Sequence, residues 1–174
     1  MARRKEAARA VRRAVRRTAL VVGEGDTEEA LLLHLRRLYT HGAQGLRISI
    51  KNARGKGAGH VVDCAIRAGA HAAYDHCAAL LDTDEGWTPA VRRRAAARSI
   101  QVVESDPCCE AWLLEIVGRG AERRSAEHKR EFERVFGTSA HEPRVFTMHF
   151  QREVLDAARS RVATLDQLLT VFGV

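Results

Sequence analysis

Thr18-Ala19-Leu20-Val21-Val22-Gly23-Glu24-Gly25-Asp26-Thr27-Glu28 is the stretch from which the fold can be read. A short apolar run ends in two glycines and three carboxylates. Leu31, Leu32, Leu35 and Leu38 then recur at three- and four-residue spacing, which places them on one side of a helix. The order predicts a strand, a tight acidic turn and a helix, with Asp26 or Thr27 as its N-cap.

The same unit recurs outward along the chain. Residues 46–50 (LRISI) alternate and predict a second strand. Residues 52–59 form a glycine-rich loop, and 60–74 resume a helical spacing. Residues 77–81 (CAALL) predict a buried third strand that runs into Asp82-Thr83-Asp84-Glu85-Gly86. A helix over 89–98, a fourth strand over 100–103 and a helix over 109–117, with Pro107 at its start, complete the alternation. From Glu122 onward only helical spacing is seen, at 122–136, 151–162 and 165–172, with a loop at 137–143. Strand alternating with helix predicts an α/β fold: a mostly parallel sheet of about four strands flanked by helices. The expected organisation is a basic N-terminal arm (1–17), an α/β core (18–117) and a helical C-terminal part packed on it (118–174).

At 174 residues and 45% hydrophobic residues, the chain can bury one core but is short for two. No run of apolar residues is long enough to span a bilayer, and the basic start lacks the apolar segment of a secretory signal, so the expected location is cytoplasmic. Cys64, Cys77, Cys108 and Cys109 include no CxxC pair and are expected to be reduced and buried. His60 and Cys64 share a helix face, but no second pair completes a zinc site.

The net charge is +7, and residues 1–17 carry eight basic side chains against one acidic, so the remainder is formally neutral. Arg9, Arg12, Arg13, Arg16 and Arg17 are spaced as the basic face of a helix, which suits phosphate contact and electrostatic steering. A solvated tail is the plainer reading of the same residues. With five Phe, two Trp and two Tyr the chain has few stacking platforms, so base recognition is expected to be poor.

Both acidic turns follow apolar strands, and in a parallel sheet the reactive groups gather at the carboxyl ends of the strands. The first turn offers Glu24, Asp26 and Glu28, the second Asp82, Asp84 and Glu85. Carboxylates that converge raise one another's pKa unless a cation lies between them, so the pair of turns predicts a hard divalent ion, Mg2+ or Mn2+. Either turn alone would read as helix capping by acidic residues. Gly55-Lys56-Gly57-Ala58-Gly59-His60 lacks P-loop spacing and reads as a flexible connection from which Lys56 can reach a phosphate.

Gly23-Glu24-Gly25-Asp26-Thr27-Glu28, followed by Asp82-Thr83-Asp84 after a later strand, resembles the TOPRIM domain of topoisomerases, primases and OLD-type nucleases. Within that group, Ser105-Asp106-Pro107-Cys108-Cys109-Glu110-Ala111-Trp112-Leu113-Leu114 is similar to the Ser-Asn-Pro-x-Phe-Glu-x-Trp-Leu-Leu signature of RloB-like proteins, which are linked to bacterial anti-phage defence. The likeness runs from about Arg12 to the end of the chain. Two positions depart from it: Asp106 stands where asparagine is usual and Cys109 where phenylalanine is usual.

The resemblance implies a Mg2+- or Mn2+-dependent nuclease. Glu24 takes the place of a general acid or base that also binds metal, and Asp82 and Asp84 take the places of the metal-binding pair. Glu28 matches a further metal ligand, and Ser105 and Glu110 match signature positions at the fourth strand end that can line the same cleft. The implied partners are nucleic acid (DNA or RNA), an ATPase and further copies of the chain, with no membrane. The alternative is an RloB-like defence subunit that binds nucleic acid or a partner protein without being catalytic.

Overall fold

The computed structural model describes residues 17–40 and 45–174. Strands β1 (Arg17–Gly23), β2 (Leu46–Asn52), β3 (His76–Asp82) and β4 (Ile100–Ser105) alternate with helices α1 (Asp26–Thr40), α2 (Gly57–His71) and α3 (Pro89–Ala97). Helices α4 (Cys109–Ile116), α5 (Ser125–Phe136), α6 (Pro143–His149), α7 (Arg152–Ala158) and α8 (Ala163–Val171) follow. All strand pairs are parallel, as the alternation predicts, and the order is β2-β1-β3-β4. No helix among the described residues is long and apolar enough to cross a membrane.

Because successive side chains of a strand point to opposite faces, β1 feeds two cores. Ala19 and Val21 join Leu31, Leu32, Leu35 and the C-terminal helices on one face, whereas Leu20 and Val22 join Val61, Val62 and Ala65 of α2 on the other. The C-terminal helices share the first of these cores. Phe132, Phe146 and Phe150 are fully buried, with ring centroids of Phe146 and Phe150 5.6 Å apart, and His34 of α1 bonds the Phe150 carbonyl through Nε2 at 2.8 Å.

Several boundaries differ from expectation for local reasons. Gly25, not Asp26 or Thr27, caps α1: its carbonyl accepts from Glu29 N at 3.0 Å and its N–H donates to Glu28 Oε2 at 2.8 Å. This is the backward half of a capping box, with the glutamate at the third helical position. Helix α2 begins at Gly57 rather than at residue 60, because Arg54, Gly55, Lys56 and Gly57 all adopt positive φ (67° to 77°) and turn the chain within the loop. Arg17 belongs to β1 rather than to the arm. Helix α5 starts at Ser125 and α7 stops at Ala158, both shorter than predicted, and α6 lies where no helix was expected.

The left-handed turn carries a prediction. A side chain with a Cβ in this region is strained by about 1 kcal/mol relative to glycine. Lys56→Gly is therefore expected to be more stable than Lys56→Ala by about that amount in denaturant titrations. The reverse order would contradict the φ of 77° at Lys56.

Candidate metal centre and its surroundings

Strand β1 leads through α1 to β2 on one side, while β3 leads through α3 to β4 on the other. Neighbouring strands whose connections diverge leave a crevice at their carboxyl ends. Glu24 follows β1 and Asp82 ends β3, so both stand at this crevice.

Three carboxylates there are each held through one oxygen by a backbone N–H. Asp82 N donates to Glu24 Oε2 at 3.1 Å, Gly25 N to Glu28 Oε2 at 2.8 Å, and Cys109 N, at the start of α4, to Asp82 Oδ1 at 2.9 Å. The two acidic turns and α4 are thus stitched together by main-chain donors. Gly23 makes this closeness possible, since a Cβ there would lie 2.6 Å from Glu28 Cβ. Its φ is not positive, so contact with Glu28 rather than a left-handed turn requires glycine there.

Burial sets the electrostatics. It is the main reason why the Asp82 carboxyl is pushed up to about 9, with repulsion from Glu28, Glu24, Glu110 and Asp84 adding in that order. Glu28 is pushed up to about 7, again chiefly by burial, with the N–H groups of Glu28 and Gly25 opposing and Glu110 and Glu24 adding. Burial also raises Glu24, against the pull of the Asp82 N–H, and Asp84 raises it further. Glu24, Glu28 and Asp82 therefore feel one another, and the Asp84 charge acts on Glu24 and Asp82. They differ in exposure: Glu28 is buried, Glu24 and Asp82 are partly buried, and Asp84 lies in the open bend beyond β3 rather than in an extended segment with Asp82.

Other predicted positions have varied surroundings. Glu110, in the first turn of α4, is buried and within charge range of Glu28 and Asp82. Ser105 is fully buried, and its Oγ accepts the Trp112 indole N–H at 3.0 Å, which ties β4 to α4. Glu85 and Lys56 are exposed on adjoining loops, where the Glu85 carbonyl accepts from Ala58 N at 3.3 Å. Arg17 begins β1 at the opposite end of the sheet, and Arg9, Arg12, Arg13 and Arg16 lie outside the described residues. Cys108 and Cys109 are buried, and burial pushes the Cys108 thiol up to about 12 and Cys109 upward as well, so both behave as small apolar side chains.

One residue was missed. Burial works to lower the Lys129 ammonium pKa, but Glu110, Asp82, Cys108 and Asp84 together raise it, so α5 contributes a firmly charged cation beside the acidic group. In the sequence it is one basic residue among several on a polar helix, and only the packing of α5 on α4 singles it out.

No protein-family model, curated protein or solved structure matches the chain. Among the described residues, no three Asp, Glu, His or Cys side chains are gathered into a ready-made metal cage. The carboxylates interact through charge without closing on one point. The donor set is nevertheless all oxygen, and the raised pKa values mean that either protons or a cation must offset its charge. Such a set fits a hard divalent ion such as Mg2+ or Mn2+.

Proposed function

We propose that the chain is a metal-dependent nuclease of the TOPRIM type and RloB-like branch, cutting nucleic-acid phosphodiesters in bacterial anti-phage defence. The observation that carries this reading is the convergence of Glu24, Glu28 and Asp82 at the diverging ends of β1 and β3, where the N–H groups of Asp82, Gly25 and Cys109 hold them. Asp82, Asp84, Glu24 and Glu28 would hold Mg2+ or Mn2+. When bound, the ion would polarise the phosphate and lower the pKa of an attacking water.

The chain's own groups divide the remaining work. Glu24 is fixed through Oε2 and keeps Oε1 to accept a proton from the attacking water or return one to the leaving oxygen. Asp82 is held in place by the Cys109 N–H, and Lys129 offers positive charge to the phosphate. The arm arginines would attract the polyanion.

Incubation of the full chain with plasmid, linear DNA and tRNA tests the reading. Cutting with Mg2+ or Mn2+ and none in EDTA is expected, and no cutting of any substrate with either ion would sink it. The burial of Glu28 favours a second reading, in which its protonated carboxyl is structural and the chain is a non-catalytic binding subunit. Under that reading calorimetry finds no Mg2+ binding, and Asp84→Ala leaves protection of cells against phage intact.

A further inference from the structure

A cavity of about 700 Å3 that the cleavage chemistry leaves unused lies beside α4 and the connection to α5. Its charged walls are mostly acidic. Asp106 before α4, Glu115 in the last turn of α4 and Glu122 after it line the space, against Arg123 as the one arginine. Arg123 is itself engaged, since its Nη1 donates to the Arg119 carbonyl at 3.5 Å. Among the described residues, none of the three carboxylates belongs to an ion pair. Glu115 is half-buried, whereas Asp106 and Glu122 are exposed.

Acidic surfaces are common, but a buried orphan acceptor beside one is not. His128 lines the same cavity, is 2% exposed, and its Nδ1 has no hydrogen-bond partner. Buried polar groups are rarely left in that state without a ligand or ordered water. Burial and the Arg123 charge lower the His128 pKa, so the imidazole is neutral, and a donor that reaches Nδ1 selects the tautomer with its proton on Nε2. Trp112 spends its only donor on Ser105 Oγ, which leaves its ring as an apolar surface that also attracts cations.

The spacing of the carboxylates tells what they can hold. Asp106 precedes α4, and Glu115 lies six residues beyond Cys109 at its start, about 9 Å of helical rise. A metal ion needs its oxygens within about 2.6 Å and cannot span that separation. A chain of ammonium groups can. We propose that this cavity binds a linear aliphatic polyamine, with its ammonium groups on Asp106, Glu115 and Glu122, one N–H on His128 Nδ1 and its methylenes along Trp112. An anionic ligand meets three like charges there, and a monoamine satisfies one carboxylate at a time. Asp106 also accepts from Thr83 Oγ1 at 2.8 Å, so the bound polyamine rests against the turn that carries Asp82 and Asp84.

Calorimetry of the full chain in EDTA with spermidine, and with butylamine as the single-charge control, tests the site without cleavage. Spermidine is expected to bind at least about tenfold tighter than butylamine. Glu115→Gln and His128→Phe are each expected to weaken spermidine binding at least about fivefold, and Glu24→Gln, in the acidic crevice, is expected to leave it unchanged. Thermal unfolding confirms that each variant is folded. If the buried ring does not tolerate replacement, spermidine must shift the His128 imidazole 15N resonances of the parent protein, and unshifted resonances overturn the proposal. No spermidine binding, equal binding of butylamine, or an affinity that survives Glu115→Gln or His128→Phe overturns it too. An equal loss in Glu24→Gln puts the polycation in the crevice and overturns it as well.

Discussion

Glu24→Gln is expected to lower Mg2+-dependent cleavage by about 10²- to 10⁴-fold, the range associated with loss of a positioned proton-transfer group, and Asp82→Asn, which takes a charge from the metal-holding set, by a comparable factor. Both replacements keep the side-chain shape and the oxygen that accepts a backbone N–H, from Asp82 in one case and Cys109 in the other. What they remove is charge and proton-accepting capacity. Single-turnover cleavage of one labelled duplex or tRNA, with each variant first checked by circular dichroism, measures the effect. Full activity in both variants would rule out the assigned roles, and full activity in one would confine the chemistry to the other. Lys129→Met is expected to show a smaller loss in the same assay, since its charge lies beside the acidic group.

Metal-free stability is expected to fall as pH rises, the reverse of the usual behaviour of paired surface carboxylates. Asp82 and Glu28 are raised above the ordinary carboxylate range, to about 9 and about 7. Their folded forms favour the proton, so their contribution is complete below about pH 4 and is lost as pH climbs through 7 toward 9. In EDTA the melting temperature should therefore drop between pH 5 and pH 9. Asp82→Asn, which cannot ionise, should flatten the profile and stabilise the metal-free protein at pH 8 by about 2 kcal/mol, or roughly 4–8 °C for a chain of this size. Added Mg2+ should raise the melting temperature of the parent protein at pH 8 and do little for the variant. Scanning calorimetry across pH, with and without Mg2+, provides the check. A parent protein that gains stability with pH in EDTA would mean that the acidic group is solvated and uncoupled. The opposite signs expected for activity and stability in Asp82→Asn also separate a functional loss from misfolding.

The strands were legible because β1 and β3 are short apolar runs and β2 alternates, each bounded by turn residues, and residues 19–22 and 78–81 are indeed buried. The acidic turns were legible for the same reason, since a carboxylate directly after a buried strand has its position set by that strand. Helix α6 was not. At seven residues it is too short to display a period, and it is held by Phe146 and Phe150 packing on residues distant in sequence. The capping position slipped by one because glycine offers no side chain to signal a cap, and the stabilising contact comes from Glu28 three residues later. Glu110 and Lys129 approach the acidic turns only through the packing of α4 and α5, a long-range arrangement that local spacing does not encode. Ser105 shows the opposite case: a polar residue at a strand end reads as a cleft residue, yet its hydroxyl is occupied by Trp112.

Arg17 and Glu24 stand at opposite ends of the same strand, separated by roughly 20 Å at the usual rise of a parallel strand. A duplex gripped at the first and cut at the second must bridge that span, which corresponds to about six base pairs. The protein would then act as a ruler with a minimum substrate length. Duplexes shorter than this would reach the acidic end without touching Arg17, and Arg17→Ala would leave their cleavage unchanged while slowing that of longer ones.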